Sequence, residues 1–269
     1  MTTTGPGDAT SEPAIEDELA RALARGEFRL LYQPEFDLRR GSFAGVEALW
    51  RLVHPTRGLL GPDEFIEPLT RSGLLIPVGY WALGEAVRQG ARWHDRGYRF
   101  PVALNVAPAQ ARDPAFVEEV ARALRANALN PAALTLEFAT ATLEALEDTA
   151  RADLLALGVR LGVDDVEPGV GEAAALADLG VSVAKLRRGL ASDPATGAAV
   201  AEVLATLAAR DVRVVATGVE DTETARRLEA ELGVTVPLEG QGFFYGGPQP
   251  AAAIDRLLED FAIFSGDPL

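Results

Sequence analysis

The feature that most constrains the fold is a regular alternation of short apolar runs with helix-forming segments from residue 102 onward. The apolar runs cover residues 102–105, 134–138, 159–163, 181–186, 212–216 and 234–238. The segments between and after them are rich in Ala, Leu, Arg and Glu, and they cover residues 114–127, 142–157, 172–179, 194–210, 221–232 and 250–261. These residue types favour helices. The alternation therefore predicts a mostly parallel sheet whose strands are joined by helices.

The first hundred residues add a hairpin to this pattern. Residues 12–25 read as an amphipathic helix, and residues 28–38 and 43–50 read as two strands joined by a tight turn. Two more helices are predicted over residues 63–73 and 77–96. About eight strands in about 240 residues fit a TIM-type barrel better than an open sheet. The fold class that we predict is α/β, a modified TIM (β/α)8 barrel with one antiparallel strand.

Composition bounds the domain organisation and the classes of partner. No composition break marks a second domain, so residues 12–269 are predicted to form one barrel domain, preceded by a disordered Thr/Gly/Ser-rich leader over residues 1–11. A net charge of −15 argues against DNA binding over a broad surface. The chain has no cysteine, which excludes disulfides and thiolate metal sites. No apolar run approaches the ~20 residues of a membrane helix, and no signal-peptide pattern precedes the barrel. We expect a cytoplasmic protein without a membrane partner.

The strand over residues 43–50 carries charge on a face that is otherwise fit for burial. Side chains alternate between the two faces of a strand, so Glu47 shares a face with Leu49 and Arg51. Burying a charge is costly unless it is paired or bound to a metal. A plain structural Glu–Arg pair and a functional pair are both open here. The functional interpretation gains weight because later strand ends repeat the pattern.

Polar side chains recur at the carboxyl ends of the predicted strands, where barrels of this type carry their functional groups. These side chains are Glu47, Asn105, Glu137, Asp164, Asp165, Lys185, Thr217 and Gln241. The acids and the amide form an all-oxygen set that suits a hard divalent cation, Mg²⁺ or Mn²⁺. Adjacent acids can bridge two metals or divide into a ligand and a base. The only lysine of the chain stands in this set, where it could hold an attacking water or a phosphate oxygen.

A series of short motifs covers the chain from about Phe28 to Pro250. In order, they are Tyr32-Gln33-Pro34, Glu47-Ala48-Leu49-Trp50-Arg51, His54-Pro55, Pro62-Asp63-Glu64-Phe65-Ile66, Gly73-Leu74-Leu75, Leu104-Asn105-Val106, Leu136-Glu137, Asp164-Asp165, Ala184-Lys185-Leu186, Gly218-Val219-Glu220 and Gln241-Gly242-Phe243. In order and spacing they resemble the EAL-domain family, the cyclic-di-GMP phosphodiesterases. The resemblance implies an EAL-type barrel that hydrolyses cyclic di-GMP to linear pGpG with a water activated by two metals.

The resemblance also implies a role for each matching residue. The metal ligands would be Glu47, Asn105, Glu137 and Asp164, with Asp165 at the second metal. The catalytic group would comprise Glu47 and Asp165 together with Lys185, which would orient the water, and Glu220, which would support the site. The dinucleotide would lie along Gln33, Leu49, Arg51 and Pro62, and Gln241 would support the same site.

Several positions depart from the family pattern. Thr217 replaces the first acid of the family's Glu-Gly-Val-Glu motif, which serves as metal ligand and general base. Thr140 stands where the family has the acid that anchors the loop after the Asp pair. That loop, residues 166–172, also departs from the family sequence. Two further family acids are replaced by Thr70 and Arg187. A threonine hydroxyl supplies no charge at neutral pH, so we expect hydrolysis to be absent or very weak.

Three functions stay open from the sequence. The one we favour is a degenerate member that binds cyclic di-GMP as a receptor and reports it to an unidentified protein effector. The second is an active or slow Mg²⁺- or Mn²⁺-dependent phosphodiesterase, in which Glu167 or Glu220 replaces the lost acid. The third is a protein-interaction module without a nucleotide ligand. One metal site, two or none, and a monomer or a homodimer, are likewise open.

Overall fold

Nine strands form one sheet in the computed structural model, which describes residues 12–167, 169–190, 197–231 and 238–265. They are β1 (Phe28–Asp37), β2 (Ser42–His54), β3 (Gly58–Leu60), β4 (Val102–Asn105), β5 (Leu134–Ala139), β6 (Arg160–Val166), β7 (Val181–Leu186), β8 (Arg213–Thr217) and β9 (Leu238–Gln241). The sheet closes because β1 pairs with both β2 and β9. The short β3 pairs antiparallel with the end of β2 and is not one of the barrel strands. Eight strands therefore make the barrel within the described residues.

The direction of the strands confirms the predicted fold class. β1 is antiparallel to β2 and to β9, while the other barrel neighbours run parallel from β2 through β4 to β9. A tight hairpin between the first two strands forces this reversal, because parallel strands need a long crossover connection. The barrel is the α/β, modified TIM (β/α)8 type with one antiparallel strand.

Helices pack around the outside of the barrel. They are α1 (Glu12–Ala24), α2 (Ile66–Arg71), α3 (Leu75–Asp95), α4 (Pro108–Ala111), α5 (Phe116–Asn127), α6 (Thr140–Glu144), α7 (Asp148–Leu157), α8 (Val170–Asp178), α9 (Gly197–Ala208), α10 (Thr222–Glu231) and α11 (Ala251–Ser265). None of the described helices is both long enough and apolar enough to cross a bilayer. The predicted leader over residues 1–11 lies outside the described residues.

Three sequence predictions need correction. The helix expected over residues 63–73 is a 3₁₀ turn, Pro62–Glu64, followed by the short α2. The helix expected over residues 142–157 is broken into α6 and α7, because Leu146 turns into the core at the break and Glu147 has extended backbone. The last strand is β9, which overlaps the predicted run 234–238 only at Leu238; residues 232–237 lie outside the described residues. The sequence of β9 is partly polar because alternate side chains of this strand face the polar interior of the barrel. An apolar run therefore does not mark it.

The barrel has an apolar outer layer and a polar interior. On β2, Val46, Ala48 and Trp50 are buried on the outward face, where the strand packs against helices. The opposite face of the same strand points inward and carries Glu47. Other polar side chains that are buried in the protein are Glu35, Gln89, Gln110, Thr135, Glu137, Thr142, Lys185 and Gln241. Those that lie on the strands form the candidate functional site.

Candidate functional site

Lys185 is the centre of a buried acid cluster, which we define as Glu35, Glu47, Glu137 and Lys185. The ammonium is 1% exposed, and its Nζ lies 2.8 Å from Glu47 Oε2, 2.9 Å from Glu137 Oε1 and 3.1 Å from Glu35 Oε1. Burial would lower the pKa of Lys185, but the three carboxylates raise it well above its ordinary value. The lysine therefore stays charged, and three acids share one positive charge.

Glu47 is the acid of this cluster that is fully satisfied by hydrogen bonds. Its Oε2 accepts hydrogen bonds from Lys185 Nζ and Gln241 Nε2, both at 2.8 Å, and its Oε1 accepts one from Asn105. Burial raises the pKa of Glu47, but Lys185 and these hydrogen bonds outweigh burial and hold the pKa below its ordinary value. Glu47 is therefore ionised, and three of the predicted site residues converge on it.

Glu137 has the opposite environment although it touches the same lysine. Among the described residues, no group donates a hydrogen bond to either of its oxygens; the 2.9 Å contact with Lys185 is an ion pair without hydrogen-bond geometry. Burial raises the pKa of Glu137 well above its ordinary value, against the opposing effect of Lys185. Gly162 leaves room for this side chain, because a Cβ there would meet Glu137 Cγ at 3.0 Å. A buried carboxylate of this kind needs a proton or a cation.

The Asp pair lies at the end of β6. Asp164 is half-buried, and burial raises its pKa despite the charge of Lys185. Its Oδ1 accepts a hydrogen bond from the Asp165 backbone N–H at 2.9 Å. Asp165 is exposed and has left-handed backbone with a φ of 56°. The two acids therefore differ in burial, and Asp164 is the one whose charge is coupled to the buried acid cluster.

The donor chemistry of the site fits one hard divalent cation. Glu137 offers two oxygens without hydrogen-bond donors, and the remaining oxygen ligands that the sequence predicts are Glu47, Asn105 and Asp164. The negative charge exceeds what Lys185 neutralises. Within the described part of the chain, no three acidic or imidazole side chains are already gathered closely enough to hold a metal ion. The residues therefore fit a divalent cation by the type of their ligand atoms and by their charge.

A groove of about 270 Å³ opens beside the cluster at the carboxyl ends of the strands. Its lining residues are Gln33, Leu49, Arg51, Arg188, Thr217, Gly218, Glu220, Gln241, Gly242, Phe243 and Pro248. Gln33 Nε2 donates to the Gly246 carbonyl at 3.1 Å, and Arg51 Nη1 donates to the Trp50 carbonyl at 2.7 Å. Three of the four residues predicted to lie along a dinucleotide therefore share one groove. The fourth, Pro62, begins a 3₁₀ turn and is not among the lining residues.

Thr217 lies in this groove at the end of β8. Its Oγ1 donates a hydrogen bond to the Leu186 carbonyl at 2.7 Å, so the hydroxyl proton is used by the neighbouring strand. In the register of the sheet, Thr217 pairs with Gln241, which contacts Glu47. The side chain is half-buried and brings no carboxylate to the groove.

Two ion pairs occupy the rim of the groove and the loop beside it. Glu220 pairs with Arg188, and Glu167 pairs with Arg187 at 3.2 Å. All four side chains are about half exposed or more. Glu220, predicted to support the catalytic centre, therefore lies at the rim with an arginine instead of among the buried acids.

Two participants were missed from the sequence. Glu35 is buried and reaches Lys185, although the sequence pattern predicts only that it lies in a strand. Its position two residues after Gln33 on the same strand was an available signal, because such residues share a face. Arg188 lines the groove, and only the neighbouring Arg187 drew attention in the sequence.

Comparison with known proteins gives consistent matches. The family model described as EAL domain matches residues 16–248. The bifunctional diguanylate cyclase/cyclic di-GMP phosphodiesterase MucR of Pseudomonas aeruginosa is 34% identical over 263 residues, which are 95% of this chain and 37% of that protein. The cyclic di-GMP phosphodiesterase NbdA of the same species is 32% identical over 97% of this chain and 34% of its own length. The chain thus spans little more than a third of these curated relatives.

One solved structure is similar over nearly its whole length. It is the PaMucR phosphodiesterase in complex with c-di-GMP, with a TM-score of 0.81 and 31% sequence identity. The match covers 89% of this chain and 99% of that chain. The similarity therefore extends over most of this chain.

Proposed function

Because the chain belongs to the EAL domain family, we propose that it binds cyclic di-GMP in the groove with little or no hydrolysis. The observation that carries this proposal is Thr217, whose hydroxyl donates to the Leu186 carbonyl at the position of a family acid. In this proposal a protein effector in the cytoplasm recognises the chain when cyclic di-GMP is bound. The net charge of −15 argues against DNA as that partner.

The groove offers the groups that a cyclic dinucleotide requires. Burial lowers the pKa of Arg51 while Glu47 raises it, but a guanidinium stays charged in either case. Its remaining N–H groups match a phosphodiester, which accepts paired hydrogen bonds. Leu49 supplies an apolar wall, and Gln33 supplies an amide group, whose oxygen is a hydrogen-bond acceptor. Pro62 would contact the ligand beyond the groove.

The groove lacks the family acid that could prepare water for attack, and its own carboxylate, Glu220, is paired with Arg188. General acid–base catalysis contributes about 10²–10⁴ in rate, and Thr217 contributes no negative charge near neutral pH. Lys185 is held by three carboxylates and stays protonated, so it cannot accept a proton. Binding and positioning survive this loss, whereas proton removal does not.

One divalent cation, Mg²⁺ or Mn²⁺, fits the proposal. Glu47, Asn105, Glu137 and Asp164 would hold it, and Asp165 would lie next to a second ion if one bound. A cation there would act as a Lewis acid that polarises a phosphoryl oxygen and acidifies water. Its charge would also take the place of the proton that burial favours on Glu137.

A slow phosphodiesterase is the second candidate, and the state of Glu137 favours it. Two buried carboxylate oxygens without hydrogen-bond donors are costly in a protein that never binds a cation. The replacement base would have to be Glu220 or Glu167. Both are already paired, with Arg188 and Arg187 respectively, so either acid must leave its arginine before it can act.

Calorimetry and product analysis on the same samples separate these functions. Cyclic di-GMP is titrated with and without Mn²⁺, and each mixture is then examined for pGpG by chromatography. We expect binding without product. Arg51→Gln should weaken binding at least tenfold, because a charge-assisted hydrogen bond is lost, while Arg57→Gln, whose arginine pairs with Glu64 outside the groove, should bind like the wild type.

Each remaining outcome selects another function. Metal-dependent product above the enzyme-free blank would establish the slow phosphodiesterase and remove the inference from Thr217. The absence of heat at micromolar ligand, with or without Mn²⁺, would leave a protein-interaction module. Equal binding by Arg51→Gln and the wild type would move the ligand out of this groove.

A further inference from the structure

We propose that Arg188 forms a phosphate subsite in the groove, so that cyclic di-GMP binds without a metal ion. This inference rests on the proposed function and adds a residue to it. Arg188 follows β7, three positions after Lys185, and lines the same groove as Arg51 and Thr217. The subsite would hold one of the two phosphodiester groups, with Arg51 at the other.

The stem of Arg188 lies close to Gly218 at the edge of the groove. A Cβ at Gly218 would meet Arg188 Cγ at 2.5 Å, and the backbone there has a φ of 72°, which L side chains rarely adopt. Glycine at position 218 therefore lets the arginine lie directly over the end of β8. The result is a guanidinium beside Thr217, where the family motif has a carboxylate.

The side chains that line the groove itself carry more positive than negative charge. Among its described lining residues, Arg51, Arg188 and Glu220 carry charge, so two guanidiniums face one carboxylate. A cyclic dinucleotide carries two phosphodiester groups with one negative charge each. With a second arginine in the groove, each phosphate can pair with a guanidinium, and no metal ion is needed.

The present partner of Arg188 is easily exchanged. The side chains of Arg188 and Glu220 are 66% and 52% exposed, and exposed ion pairs contribute little to stability. A phosphodiester offers the planar guanidinium two oxygens in matching geometry. Arg187, the adjacent arginine, pairs with Glu167 and does not line the groove. The two neighbouring arginines therefore form a matched test pair.

The test compares Arg188→Gln with Arg187→Gln in the full chain. Each protein is titrated with cyclic di-GMP in EDTA at low and moderate salt, after circular dichroism has verified its fold. We expect the wild type to bind in EDTA, Arg188→Gln to bind at least tenfold more weakly, and Arg187→Gln to stay within twofold. The salt dependence of binding should also fall in Arg188→Gln alone, because one charge contact is removed; a purely structural role would leave it unchanged.

Four results would overturn the subsite. They are wild-type affinity in Arg188→Gln, equal weakening by both variants, an unchanged salt dependence in Arg188→Gln, and wild-type binding that requires Mn²⁺. The proposed function survives all four, whereas a wild type that binds no cyclic di-GMP in any buffer removes both proposals. If Arg188→Gln fails to fold, Arg188→Lys decides: weaker binding that keeps the wild-type salt dependence supports the arginine fork, and wild-type affinity contradicts it.

Discussion

The buried acid cluster and the rim of the groove lie at the same end of the barrel but differ in how their charges are held. In the cluster, one ammonium contacts three carboxylates and is 1% exposed. At the rim, Arg188 and Glu220 form an exposed pair. Charge pairs in the interior depend on one another, since removal of one partner leaves the other buried and unpaired. Pairs at the rim can be exchanged at little cost.

On our proposal that hydrolysis is lost, this difference explains how the chain keeps its fold. The residues predicted as oxygen ligands that persist here, such as Glu47 and Glu137, are tied to Lys185 in the interior. The acid that is absent would have stood at Thr217, in the half-exposed groove. In this proposal, the threonine at that position removes a catalytic charge without leaving a buried charge unpaired. The stability of the barrel therefore does not protect the catalytic acid.

The sharpest test of this contrast removes the central ammonium. Lys185→Met should destabilise the protein by about 3–5 kcal/mol, because three buried carboxylates would lose their shared positive charge. The free energy of unfolding is measured by urea denaturation at neutral pH. Arg187→Gln, which breaks an exposed pair, should stay within about 0.5 kcal/mol of the wild type.

A small effect of Lys185→Met would break the comparison. It would mean that the acids of the cluster take up protons or separate without cost, so that the interior charges are as exchangeable as those at the rim. A large effect of Arg187→Gln would break it from the other side.

A second test uses pH and a carboxylate on β9, Glu239. Burial raises the pKa of Glu239 from 4.5 to about 7, while Arg213, which donates to its Oε1 at 2.7 Å, opposes the rise. Between these pH values the unfolded chain releases a proton that the folded chain keeps, so wild-type stability falls as pH rises through that window. Glu239→Gln removes this loss and should gain up to about 3 kcal/mol relative to the wild type between pH 4.5 and 8.

Urea unfolding at several pH values measures this difference directly. Glu118→Gln is the control, because Glu118 forms an exposed pair with Arg125, and its stability curve should run parallel to that of the wild type. A constant difference between Glu239→Gln and the wild type from pH 4.5 to 8 would show that the interior acid titrates like an exposed one.

The barrel could be predicted from the sequence because its outward strand faces are apolar and alternate with helices. The interior was harder to predict, since inward-facing side chains are polar and the period of apolar residues does not reveal them. β9 is the clearest case: Glu239 and Gln241 face inward, so the strand does not read as an apolar run. Glu35 was overlooked for the same reason.

The candidate site was predicted where strand ends converge. Glu47, Asn105, Lys185 and Gln241 were selected individually, and the structure brings them into one hydrogen-bonded group. Arg188 could not be selected this way, because it follows a strand in a loop and reaches the groove only by packing over Gly218. Loop side chains are positioned by such contacts, which have no period in the sequence.

The smallest effect on stability is expected in the groove, at Thr217. Thr217→Glu restores the missing carboxylate, but we expect no pGpG above the blank in Mn²⁺, because the loop over residues 166–172 and the loop anchor at Thr140 remain changed. The stability cost should be about 1 kcal/mol, the value of the lost hydrogen bond to Leu186. Thr217→Gln is the matched control without charge. Rapid metal-dependent turnover by Thr217→Glu alone would show that this groove needs only one more carboxylate to become a working catalytic site. It would also show that the altered loop is compatible with hydrolysis.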